Sequence, residues 1–184
     1  MALILTTPPT AEPVSLVEAK AHLRLTHTDD DIYVASLITT ARRMIESRLS
    51  LALMAQSWAM FADGWPDDGV IALPLHPVAS IESISVFGDD DTPASIDPSH
   101  FYLDTASRPA RLVLRHGRFF NPPGRKANGI RISFEAGYVD VPAELKQALL
   151  ITIADWYGKR GDETAGPLPP AALELMQPFR LARL

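Results

Sequence analysis

Apolar and polar positions change their period twice along this chain. From residue 14 to 49 they recur at helical spacing, from 56 to 136 at a spacing nearer two, and from 141 to 157 at helical spacing again. The middle of the first stretch gives the plainest signal. Val34, Leu37, Ile38, Ala41, Met44, Ile45 and Leu49 form one apolar stripe, predicting a helix over 31–49. Arg42, Arg43, Glu46 and Arg48 fall mainly off that stripe, with cations toward the end that the helix dipole prefers. A shorter helix near 15–24 is announced by Ser15 and Glu18, which have the spacing of a capping box. Leu16, Ala19, Leu23 and Leu25 supply its apolar side. So short a helix is marginal alone, so it needs a partner, and the next helix is the nearest one. Asp29 or Asp30 is placed to cap that second helix, and Asp29, Asp30 and Asp31 together suit its positive end.

Before these helices, Pro8, Pro9 and Pro13 predict an extended arm without helix. After them, QSWAMFA, VIALPL, SIESISVFG, HFYLD, ARLVLRHG and GIRISFEAG read as five or six strands, mostly antiparallel because their connections are short. GDDDTPASIDPS, TASRP and NPPGRKANG between them read as turns. Pro142 then opens a helix over 142–157 whose stripe is Leu145, Ala148, Leu149, Thr152, Ile153 and Trp156, ended by the glycines of GKRG. The tail begins as a linker, makes a helical turn or two around Ala171 to Gln177, and stops at Pro178. The expected fold is α+β: a small bundle of the two N-terminal helices and one C-terminal helix, an inserted, mostly antiparallel β-rich region, and an extended C-terminal tail. Its segments are an arm and helical hairpin over 1–55, the β-rich insertion over 56–137, a helix packing on the hub over 138–160, and the tail over 161–184.

Composition narrows the function. The chain has no cysteine, which excludes disulfides and thiolate metal sites and suits a reducing compartment. Its net charge of −5 opposes non-specific binding to nucleic acid. No apolar run reaches bilayer length, and MALILTTPPT lacks the basic start of a signal peptide, so no membrane partner is expected. Charge is segregated. Residues 49–107 carry no lysine or arginine but hold Asp63, Asp67, Asp68, Glu82, Asp89, Asp90, Asp91, Asp97 and Asp104. Residues 108–134 carry no acid but hold Arg108, Arg111, Arg115, Arg118, Arg125, Lys126 and Arg131. Such charges pair either between neighbouring strands of one subunit or between copies meeting head-to-tail. The sequence leaves both open.

Catalytic chemistry finds no support. His22, His27, His76, His100 and His116 lack metal-ligand spacing, and neither Asp29–Asp31 nor Asp89–Asp91 continues into a calcium loop. There is no nucleophile elbow, and GKRG lacks the spacing of a phosphate loop. Arg160-Gly161-Asp162 is a three-residue adhesion match of the kind chance produces. No catalytic, cofactor or metal site is expected. A helix-turn-helix regulator is the alternative for residues 15–48. Against it, the second helix would present three acids where a reading helix meets DNA.

The order of short motifs carries a resemblance. Pro13 followed by S-L-x-E-A-K-x-H-L-R, an acidic turn, and Ala41-Arg42-Arg43 come first. Gln56-Ser57-Trp58, Leu73-Pro74, Pro77-Val78, S-I-x-S-I, F-E-A-G-Y, V-P-A-E-L-K-Q-A and a closing Leu175-Met176-Gln177-Pro178-Phe179-Arg180 follow in turn. Together they resemble the head–tail connector (adaptor) proteins of long-tailed bacteriophages and gene transfer agents, over nearly the whole chain. The resemblance implies a structural virion component: a homo-oligomeric ring, commonly of twelve subunits, beneath the portal protein. Such a ring extends the DNA channel and gives the stopper or tail-terminator protein its platform, with DNA passing through without sequence-specific binding. It also implies a portal-gripping tail, which falls here on Leu168, Leu173, Met176, Pro178, Phe179, Arg180 and Leu181. For the ring, Asp63, Asp67, Asp68, Asp89, Asp90 and Asp91 are the channel-facing or inter-subunit acids. Arg108, Arg111, Arg115, Arg118 and Arg125 are the inter-subunit cations.

Overall fold

A computed structural model describes residues 2–117, 120–160 and 168–180. The chain divides into two compact units, one of residues 1–9 and 55–138, the other of residues 10–54 and 139–184. The fold is α+β.

The helical unit holds α1 (Leu16–Leu23), α2 (Asp31–Leu49), α3 (Ala143–Gly158) and α4 (Pro170–Met176). α1 begins on the capping box that the sequence announces. Ser15 Oγ accepts from Glu18 N at 3.2 Å, and the Glu18 carboxylate accepts from Ser15 N at 2.8 Å. These two bonds satisfy donors that the first turn otherwise leaves without partners. Replacing Ser15 with alanine is therefore expected to cost about 1 kcal/mol, read as a lower urea midpoint at unchanged slope. α1 packs on both α2 and α3, and α2 packs on α3, so the three predicted helices do form a bundle. α2 buries Val34, Leu37, Ile38, Ala41, Ile45 and Leu49, and α3 buries Leu145, Ala148, Leu149, Thr152 and Ile153.

Two helix ends differ from expectation, the start of α2 and the end of α3. Asp30 stands at the N-cap of α2 but makes no capping bond, because Tyr157 and Arg160 take its carboxylate. α3 ends at Gly158 without a left-handed glycine. Instead α1 and α2 stop on left-handed Arg24 and Ser50, at φ 56° and 54°. Arg42, placed off the apolar stripe by its sequence, is only 5 % exposed. Its Nε donates to Glu12 at 2.7 Å and its Nη1 to Glu46 at 2.8 Å. Glu12 also accepts from Thr39 Oγ1 at 2.9 Å, and Glu46 accepts from Leu53 N at 2.9 Å. One guanidinium thus fastens both the segment entering the helical unit and the segment leaving it.

The β unit has two sheets, and every strand pairing in them is antiparallel. The five-stranded sheet runs β1 (Ala2–Thr7), β2 (Gln56–Ala62), β8 (Ile130–Ala136), β4 (Val78–Phe87), β5 (Pro93–Ile96). The three-stranded sheet runs β3 (Val70–Ala72), β7 (Arg111–Leu114), β6 (Phe101–Asp104). β8 lies at the centre of the larger sheet, and its period-two pattern is realised. Ile130, Ile132, Phe134 and Ala136 are fully buried while Arg131, Ser133 and Glu135 are not. Two strands were not foreseen. The arm contributes β1, which pairs Leu3 with Met60 and Ile4 with Ala59. The acidic turn contains β5, which pairs Ser95 with Ser85.

Candidate functional site

No group of histidine and acidic side chains that could hold a metal ion occurs among the described residues. No helix there is long and apolar enough to cross a membrane. What the structure offers is surfaces, and the segregated charges are the first of them.

Part of the acidic stretch meets the basic stretch within the chain. β6 and β7 bring Asp104 opposite Arg111, and the carboxylate accepts from Arg111 Nη2 at 2.6 Å and from Ser107 Oγ at 2.6 Å. The Ser107 hydroxyl bond and then the Arg111 guanidinium hold the Asp104 carboxyl well below the usual carboxylate range. Arg125 binds Asp91 and lies over the Phe87 ring, 4.0 Å from its centre. Asp90 is kept low by the hydroxyl and then the amide of Thr92. Arg115 donates from Nε to the carbonyls of Ser99 at 3.0 Å and Phe101 at 3.1 Å. Asp63 accepts from Asn128 N and Asp68 from Val70 N, while no ion pair reaches Asp63, Asp67, Asp68 or Asp89 among the described residues. Burial pushes the Tyr138 phenol up and the Arg108 charge opposes this, while Arg118 lies outside the described residues.

Asp67 and Asp68 border a cavity of about 440 Å³ in the β unit, floored by Trp65, Ile71, Phe101, Leu114 and Phe120. Trp65 stacks on Phe101 at 5.8 Å and tilts on Phe120 at 5.1 Å. Its Nε1 is buried with no acceptor among the described residues. No local pattern announces this cluster, since its rings come from three separate segments.

At the tail, the helical turn is present as α4, which packs on α3. Leu168 and Met176 are buried, Leu173 and Phe179 are half-buried, and Pro178 and Arg180 are exposed. Leu181 lies outside the described residues. Just before the tail, Tyr157 Oη donates to Asp30, as does Arg160 at 3.1 Å. Arg160 also sits over the Tyr157 ring at 4.4 Å. The Arg160 and then the Tyr157 hydrogen bonds hold the Asp30 carboxyl below its ordinary value. Both Asp30 and Asp104 are thus more acidic folded than unfolded. Their stabilisation is complete above the ordinary carboxylate pKa of about 4 and is lost as pH falls through the lower folded values. Urea titrations are expected to show stability dropping on acidification below about pH 4, less steeply in Asp104→Asn.

The model of the phage gp6-like head-tail connector protein family matches residues 13–87. The chain is similar to these connectors. The match takes in Pro13 to Arg24, the Ala41-Arg42-Arg43 helix, Gln56-Ser57-Trp58 and the S-I-x-S-I segment of β4. No curated protein matches the sequence. Solved structures extend the likeness to the full chain. A chain in the neck of an empty gene transfer agent particle, computed with C6 symmetry, superposes at a TM-score of 0.85. That match has 23% identity and covers 100% of this chain and 97% of the other. A chain in the neck of the native particle, computed with C12 symmetry, gives 0.81 at 23% identity with the same coverage. A chain in the virion of the native gene transfer agent gives 0.82 at 22% identity, again covering 100% and 97%. The likeness in fold to these chains therefore includes α3, β8 and α4, which lie beyond the family match.

Proposed function

We propose that this chain is a head–tail connector, a structural component of the neck of a phage or gene transfer agent particle. The observation that carries this reading is the full-length likeness in fold to neck chains, joined to a connector family match over the helical hub and first strands. In this role copies form a ring beneath the portal, and the ring continues the DNA channel and seats the stopper or tail protein. Removing the chain from a producing strain tests it. Electron microscopy is expected to show filled heads without tails, and normally tailed particles would overturn the reading.

The charges refine the proposal. Asp104 and Asp91 are paired with arginines within the chain, which leaves Asp63, Asp67, Asp68, Asp89 and Asp90 as the acids for a channel wall or a neighbouring subunit. An acidic lumen repels phosphate and lets DNA slide. The tail is refined in the same way. Leu168 and Met176 serve α4's own packing, so the portal-gripping contacts fall on Leu173, Pro178, Phe179 and Arg180. The Phe179→Ala, Arg180→Ala double variant is expected to weaken co-sedimentation with portal by about tenfold, the effect of losing about 1.4 kcal/mol. Its thermal midpoint should stay near that of the parent.

A further inference from the structure

The edge strand β1 is unusual for a surface strand. Natural sheets guard their edges with charge, proline or a bulge, because an open row of N–H and C=O groups recruits further strands. β1 reads A-L-I-L-T-T, with neither a charge nor a proline. Ile4 is 52% exposed and Leu5 36%. Its one register shift falls between Leu5 and Thr7, so the ladder from Ala2 to Leu5 is regular. At the opposite end of the same sheet lies β5, P-A-S-I, also uncharged and largely exposed. Pro93 removes one donor at its start and leaves Ala94 to Ile96 free to pair. The smaller sheet is better guarded: Asp68 takes the amide at the head of β3, Asp104 and Arg111 pair beside β6, and Arg115 takes the carbonyl of Phe101.

We propose that the free edge of β1 pairs with the free edge of β5 from a second copy of this chain, joining subunits head-to-tail through one continued sheet. The inference rests on the ring reading above. A closed ring needs two different, complementary surfaces on each subunit, and an isologous β1–β1 contact would stop at a dimer. The two ends of one sheet meet that need: each presents alternating donors and acceptors, and neither carries a charge to repel the other. The topology also fixes the sense of the junction. Five strands joined by antiparallel pairings leave β1 and β5 pointing the same way, so a head-to-tail junction pairs them in parallel. Exposed Ile4 then gains a covered flank.

The chain contains no cysteine, so introduced thiols report without background. Ile4 and Ser95 project from the same face of the sheet, by the register Ile4–Ala59–Ser133–Ser83 and Ser95–Ser85. The test is mild oxidation of concentrated chain carrying Ile4→Cys with Ser95→Cys, or Ala2→Cys with Ser95→Cys as its same-face neighbour in register, beside each single variant, with native mass spectrometry in parallel. A ladder of covalent oligomers from a double variant, with none beyond monomer from the singles, is expected. Ile4→Lys should remove the oligomers by at least tenfold in concentration while leaving the melting midpoint near the parent's. A covalent dimer from Ile4→Cys alone would overturn the proposal in favour of an isologous contact. Native oligomers with no ladder in either double variant would overturn it and leave the ring intact. A chain that stays monomeric throughout would overturn the ring reading and this junction together.

Discussion

Replacing Arg42 with methionine is expected to lower stability by about 3 kcal/mol, although methionine fits the space and removes no apolar contact. The loss comes from the two carboxylates left behind. The Arg42 side chain is 6% exposed and those of Glu46 and Glu12 are 11% and 29%, so neither acid regains much water when its partner is gone. An exposed ion pair is worth at most about 1 kcal/mol, but breaking a buried one leaves an uncompensated charge, typically at a cost of about 3–5 kcal/mol. The lower figure applies because Glu12 keeps some contact with solvent. For a chain of this size the change corresponds to a melting point lower by about 6–12 °C. Far-UV circular dichroism would measure it. Glu12→Gln, which keeps the shape and one acceptor, should lose less. Restoring balance with Glu12→Gln and Glu46→Gln in the methionine background should recover part of the loss, since the stranded charges are then gone.

The second large effect is expected in the other unit. Phe134→Ala should cost about 4 kcal/mol, because the ring is fully buried in the central strand and its loss leaves a cavity there. Phe134 stands opposite Trp58 on β2 and Ile81 on β4, so one truncation removes packing from three strands. Hydrogen exchange would distinguish it from the first variant. Phe134→Ala should accelerate exchange in β2, β4 and β8, whereas Arg42→Met should act first on the amides of α2 and Leu53. Phe134→Leu should show the same pattern with a smaller loss.

These two residues also mark what the sequence discloses. Phe134 was legible: it sits in a strict alternation, and alternation survives because β8 has neighbours on both sides and the apolar face is buried along its whole length. α2 was legible for the parallel reason at helical period. Arg42 was not. Its partner Glu12 lies in the proline-led arm, and an ion pair between distant segments leaves no periodic trace, so a buried guanidinium looked like a surface one. β1 was hidden by its proline neighbours and by its unbroken apolar run, which has no alternation to announce a strand. β5 was hidden inside a run of turn residues, whose local chemistry is overruled by the ladder with β4. The charge pairing was legible only in outline. Charge segregation showed in composition, but the pairing of Asp104 with Arg111 and of Asp91 with Arg125 depends on which strands meet, and strand order is not written locally.

The place of β8 has a consequence in time. It is the last strand of the β unit to be synthesised, yet it sits between β2 and β4. Met60 cannot find its partner until Ile132 has emerged, and Ile84 waits for the same residue from the other side. A nascent chain ending before β8 can close β4 with β5 and the three-stranded sheet of β3, β7 and β6, while β1 and β2 wait as an isolated ribbon. Late, long-range closure of this kind makes for slow folding and a long exposure of apolar strands. Emergence of β8, rather than collapse of the helical bundle, is thus the event that commits the sheet.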